Sequence, residues 1–126
     1  MVPEPRVLVI GLDPYRVAGP RDTASLADAI AGGLARFADA GIGVENCPIG
    51  LDGIDETEAV VTEALDRRPW DVVVVGGGLR RADDHIEVFE RVINLVRRHA
   101  PDAAIAFNSR PRDIYDAAAR WLEPSA

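Results

Sequence analysis

The sequence predicts an α/β fold: a three-layer αβα sandwich on a four-stranded parallel sheet, spanning residues 1–126 as one domain. Three observations predict it. Four short apolar runs alternate with four segments of 3.6-residue periodicity, the pattern of successive βα units. The strongest runs, Val7–Ile10 and the valines within Trp70–Val75, are continuous and β-branched, as strands buried on both faces are. The length of 126 residues suffices for a core without disulfides or metals.

The elements follow in order. Val7–Ile10 is the first strand and ends at Gly11. In the helix after it, Leu26, Ile30, Gly33, Leu34 and Phe37 share one face, with Asp22 or Thr23 as the cap and Gly41 at the C-terminal end. Ile42–Ile49 is a weaker strand, and Pro48 assigns it to an edge because proline has no N–H for a ladder. A second helix runs from about Glu56 to Arg68 behind the cap Asp55, with acids in its first turn and arginines in its last. Trp70–Val75 is the third strand and ends at Gly76. The third helix carries a stripe of Ile86, Phe89, Val92, Ile93 and Val96. Ala103–Phe107 is the fourth strand, and a last helix near Asp113–Leu122 presents Ile114, Ala117, Ala118, Trp121 and Leu122. Right-handed crossovers, central positions for the two strongest strands and an edge position for the proline-bearing one give strand order 2-1-3-4. That order is a shortened flavodoxin-like, Rossmann-like arrangement.

Composition narrows the function. The net charge is −7 and all 14 basic residues are arginine. An acidic chain without a basic block is poorly suited to nucleic acid, where phosphate neutralisation dominates affinity. Without lysine there is no Schiff base and no lysine general base or phosphate clamp. No apolar run is long enough for a bilayer, and Met1–Arg6 does not read as a signal peptide. The single cysteine, Cys47, suits a reducing, cytoplasmic setting and reads as a small buried hydrophobe.

A site is expected beyond the C-terminal ends of strands one and three, where the strand order reverses. Two loops meet there, Gly11–Arg16 and Gly76–Arg81, with Asn108–Arg112 beside them and Asp52 on the far side. The glycines Gly76, Gly77 and Gly78 either let backbone N–H groups approach an anion, with positive φ and with Arg80 behind them, or simply make a tight turn. Asp13 reads either as a general base, nucleophile or metal ligand or as the acceptor of an Asx turn ahead of Pro14. Gly11 and Tyr15 flank it. Asn108, Ser109 and Arg110 either contact the ligand or cap the last helix. Asp83 and Asp84 read as helix-start acids and His99 as structural at a helix end, while His85 is a second catalytic candidate because it titrates near neutrality. Consecutive Asp83, Asp84 and His85 do not converge on a point, so no metal site is assigned. Gly32 and Gly33 inside the first helix imply close packing, on the sheet or on a second subunit.

Several chemistries lack their motifs. No GxGxxG follows the first strand, and the chain has neither a GxxxxGK[ST] loop nor a GxSxG elbow. The first loop lacks the serine- and threonine-rich phosphate cradle of flavodoxins, and no cofactor is assigned. The stretch Asp71–Gly78, with the amphipathic helix and strand after it, is similar to the middle of SGNH-type esterases. That family places a serine nucleophile just after its first strand, where this chain has Leu12-Asp13, and a terminal Asp-x-x-His pair that is absent here. Gly11-Leu12-Asp13-Pro14-Tyr15 resembles the opening of pyroglutamyl peptidases, but no Glu, Cys and His set follows. Neither resemblance transfers a catalytic residue.

Three readings remain. In the first, the domain binds a small anionic ligand, such as a nucleotide or phosphorylated metabolite, with Arg80 and Arg110 pairing with the anion and Asp13 orienting it. In the second, it is a small hydrolase or transferase using Asp13, helped by His85. In the third, it acts as a homodimer or partner-docking module with no small-molecule site.

Overall fold

The computed structural model describes residues 4–17, 22–50, 53–81 and 86–122, excepting the side chains of residues 17, 54, 80 and 81. Strands β1 (Pro5–Leu12), β2 (Gly43–Ile49), β3 (Val72–Val75) and β4 (Ala104–Phe107) form one sheet in the order β2-β1-β3-β4. Every pairing is parallel, with Ile10 beside Cys47 and Val75 and with Val73 beside Ile105. The expected order therefore holds, for the expected reason. The Ile49 carbonyl accepts the Asp13 N–H at 2.8 Å on the β1 side. By alternation, the position where Pro48 lacks an N–H faces away from the sheet.

Helices cover both faces. Leu8, Ile10, Cys47, Ile49, Val73 and Val75 point to one side, against α3 (Ile54–Asp66), α5 (Ile86–His99) and Leu79 of the short α4 (Gly77–Arg81). Val7, Val9, Val72, Val74 and Ala106 point to the other, against α2 (Thr23–Asp39) and α6 (Ile114–Ala119). This alternation along continuous apolar strands makes the sandwich, because both faces need cover. A short α1 (Pro14–Val17) follows β1, and a 3-10 turn (Pro111–Asp113) precedes α6.

Several boundaries differ from the sequence expectation. β1 continues through Gly11 and Leu12, because β2 is long enough to pair with them at Pro48 and Ile49. α3 starts at Ile54 behind Gly53, a left-handed glycine (φ 75°), so Asp55 lies in the first turn instead of at the cap. On α5 the buried line is Val88, Val92, Leu95 and Val96. Ile86, two residues from Val88 and so on the opposite side of the helix, is 63% exposed. α6 stops at Ala119, which leaves Trp121 beyond the helix and exposed. Gly41, with φ 73°, does end α2 as expected, its N–H donating to Ala38.

Two contacts fix α2 against the end of the chain. A side chain at Gly33 would collide with the Pro111 carbonyl, so glycine permits the approach of α2 to the 3-10 turn within this same chain. Arg36 forms a bidentate pair with Asp116 (both 2.9 Å), donates to the Arg112 carbonyl at 3.0 Å and lies over the Tyr115 ring. On the opposite face, His99 meets Asp66 at 3.0 Å, joining the ends of α5 and α3 and supporting its structural reading. No helix among the described residues is long and apolar enough to cross a membrane.

Candidate functional site

At the C-terminal ends of β1 and β3 the chain departs to opposite faces, toward α2 from β1 and toward α4 and α5 from β3. The gap between them is a pocket of about 170 Å³. Val9, Gly11 and Gly76–Gly78 line it from the strand ends, Asn46 from β2, and Leu26 and Ile30 from α2. Asn108 to Pro111 and Ile114 close the remaining side. Seven of the residues expected at a site thus meet at one cavity: Gly11, Gly76, Gly77, Gly78, Asn108, Ser109 and Arg110.

The glycines have different reasons. A Cβ on Gly11 would stand in open space, so packing does not require glycine there and its absence leaves the pocket wall bare. A Cβ on Gly76 would come 3.2 Å from the Gly11 Cα, so glycine there permits two strand backbones to approach closely. A Cβ on Gly78 would press on the Leu12 side chain at 3.1 Å. None of the three has positive φ. Gly77 and Gly78 instead open the helical turn α4, which corrects the expectation of a left-handed loop. The Gly76 N–H donates to the Ile10 carbonyl at 2.8 Å and extends the ladder instead of facing a ligand.

The loop after β4 is held internally. Asn108 is buried, and its Nδ2 donates to the Arg110 carbonyl at 2.9 Å. The N–H groups of Ser109 and Arg110 both donate to Asp113 Oδ1 at 3.0 Å, and the Asp113 N–H donates back to the Arg110 carbonyl. These backbone donors are engaged in capping, which leaves the exposed side chains of Ser109 and Arg110 for the pocket. Asp113 was readable as an acid at the third position of a capped turn. Among the described residues Arg110 is the one charged residue lining the pocket, and no ion pair engages it.

Asp13 and Tyr15 lie elsewhere. They line a neighbouring depression of about 320 Å³, beside Pro48 and Leu34. Asp13 Oδ1 accepts the Tyr15 N–H at 2.9 Å, and the Asp13 carbonyl accepts the Arg16 N–H, so the residue caps α1. His85, Asp52, Asp83, Asp84 and the side chain of Arg80 lie outside the described residues. Cys47 is buried, and burial pushes its thiol up to about 11. Among the described residues no three His, Cys, Asp or Glu side chains cluster to hold a metal ion.

Leu26, Ile30 and Asn46 are lining residues that sequence reasoning missed. The first two look like core on a helical wheel but remain half-buried. Asn46 carried a usable signal, a polar residue between Val44 and Pro48 on one face of a strand. Among the described lining residues there is no His, Asp, Glu or Cys beside Ser109, and what they supply is apolar wall, amide and guanidinium, groups that bind and orient. A wider groove between α3 and α5 is lined by Glu58, Glu87, Arg91 and Arg98. Its charges pair across the helices, with Arg91 to Glu58 at 3.0 Å, as on a solvated seam. Comparison with family models, curated proteins and solved structures returned no match.

Proposed function

We propose that the protein is a binding domain for a small organic anion with a compact apolar body, held beyond the C-terminal ends of β1 and β3. The observation that carries this reading is the pocket lining. Val9, Leu26, Ile30, Pro111 and Ile114 supply apolar walls, and Arg110 is the one charge among the described lining residues. A buried cavity of about 150 Å³ holds a benzene ring, so a pocket of about 170 Å³ suits a ring or short branched chain. Carboxylate or phosphate is the group a guanidinium pairs with best. The position is where ligands bind in flavodoxin-like sheets, at the reversal of strand order. The lone, buried thiol accords with a cytoplasmic setting.

A thermal-shift panel of small carboxylates and phosphates, from benzoate and branched-chain acids to phenyl phosphate, tests the reading. A ligand that binds only the folded state raises the Tm with concentration. Arg110→Ala should weaken binding by roughly ten- to a hundredfold, the worth of a charged hydrogen bond. Gly11→Val should abolish binding by placing a side chain in the cavity, while circular dichroism stays unchanged. A panel without any shift, or a shift that survives both substitutions, would discard the proposal.

A second reading, association of two copies through the short edge strand β4, has Phe107 in its favour, a large apolar residue 38% exposed at that edge. Sedimentation velocity decides it: a monomer at all concentrations removes it. Arg120 already works against such pairing, because its guanidinium donates to the Phe107 carbonyl at 3.0 Å.

A further inference from the structure

The pocket at Arg110 and the depression at Asp13 share two walls, Ile30 and Asn46. Both lie beside α2, and we infer that they are two compartments of one cleft meeting at those two side chains. We propose that the cleft takes an amino-carboxylate, a molecule with its anionic group at Arg110 and an ammonium at Asp13, joined by an apolar spacer. This inference rests on the proposed anion site and adds the chemistry of the ligand's other end.

The residues of the second compartment carry the argument. Ile30, Leu34, Ala31 and Pro48 give it an apolar surface, and among the described residues Asp13 is the one charged residue lining it. Asp13 uses Oδ1 for the Tyr15 N–H, and among the described residues it enters no ion pair. A carboxylate at the edge of an apolar surface selects a cation over a neutral group, and the two compartments offer opposite signs, the arrangement complementary to a zwitterion. The nearest arginine in sequence, Arg16, has its guanidinium packed against Gly50 and does not line this compartment. Asn46 stands at the division, where its amide can accept from the ligand or donate to it whichever way the spacer passes. Tyr15, 75% exposed, borders the same compartment with an aromatic ring that can lie against an ammonium.

The test is isothermal titration of the whole chain with aminobutanoate, aminohexanoate and aminooctanoate, each bearing its amine at the far end, beside the amine-free acids of the same lengths. At one length the amino acid should bind at least about tenfold tighter than its amine-free counterpart, one charged contact's worth. Asp13→Asn keeps an oxygen for the Tyr15 N–H and so keeps the α1 cap. It should erase that tenfold advantage and leave the amine-free acid's affinity unchanged. Equal binding of both series at every length, or an advantage that persists in Asp13→Asn, overturns the inference while the anion site stands. If neither series binds and the panel of small anions is also silent, the anion site itself falls and this inference with it.

Discussion

One face of the sheet receives two long helices, α3 and α5, and the other one long helix, α2, with the short α6, and only the first is sealed. Against α3 and α5, Leu8, Ile10, Ile49, Val73 and Val75 are buried along their whole length, and Leu79 from α4 closes the C-terminal end. Against α2 and α6, Val7, Val9, Val72 and Val74 are buried too, but only Gly33 and Phe37 of α2 are. Leu26 and Ile30, on the same stripe of that helix, stay half-buried and wall a cavity. What differs is where the closest contact falls. Gly33 against Pro111 and Arg36 against Asp116 clamp the middle and C-terminal part of α2, and its N-terminal part spans the strand ends without filling the gap. An apolar stripe of constant period can therefore be core at one end and ligand wall at the other.

Substitutions on the two faces should separate them. Leu8→Ala on the sealed face should cost about 2–5 kcal/mol in urea unfolding, the range for emptying a rigid core site. Gly33→Ala should cost about 1–3 kcal/mol despite the better helix former, because its Cβ meets backbone at Pro111. If Gly33→Ala is neutral, the clamp does not set the cleft. Gly32→Ala, one residue away with nothing near its Cβ, should instead stabilise by about 1 kcal/mol, so the two glycines move the midpoint in opposite directions. Ile30→Ala should cost less than about 1.5 kcal/mol, since the side chain is only half-buried, and should alter ligand affinity more than stability.

The smallest effect concerns pH. The hydrogen bond from Arg36 holds the Asp116 carboxyl below its usual range. A depressed folded-state value means the pair stabilises the fold above the ordinary carboxylate range and that this contribution is lost as pH falls through the depressed value. Both side chains are substantially exposed, so the change is modest and screened by salt. In acid titrations of Tm, wild type and Asp116→Asn should converge as pH falls. Parallel curves would show that the pair contributes nothing.

Much of this fold was legible in the sequence because its determinants are local and strong. Continuous valine runs specify two-sided burial, and Pro48 specifies an edge. The location of the cleft followed from the strand order. Its lining did not, because periodicity reports which face of a helix is apolar and not whether the sheet beneath it reaches that far. Leu26 and Ile30 were indistinguishable from Phe37 for that reason. The triglycine looked like a flexible cradle, but whether Gly76 serves a ligand or a strand contact depends on Gly11, a residue distant in sequence and adjacent in space. Asp13 had its Asx reading available from Pro14 onward. Its membership in a second compartment depends on Leu34 and Pro48, which only the packed sheet brings beside it.

Cys47 lies between Asn46, which lines both the pocket and the depression, and Pro48, which borders the depression, with its own side chain turned into the opposite core. Burial leaves this thiol 5% exposed and pushes it up to about 11, so its alkylation at neutral pH should be slow in the folded chain and faster wherever β2 opens locally. The chain thus carries a built-in stopwatch on its own edge strand. A molecule lodged against Asn46 would slow it, and the slowing would register occupancy even for a ligand too weak to move a melting curve.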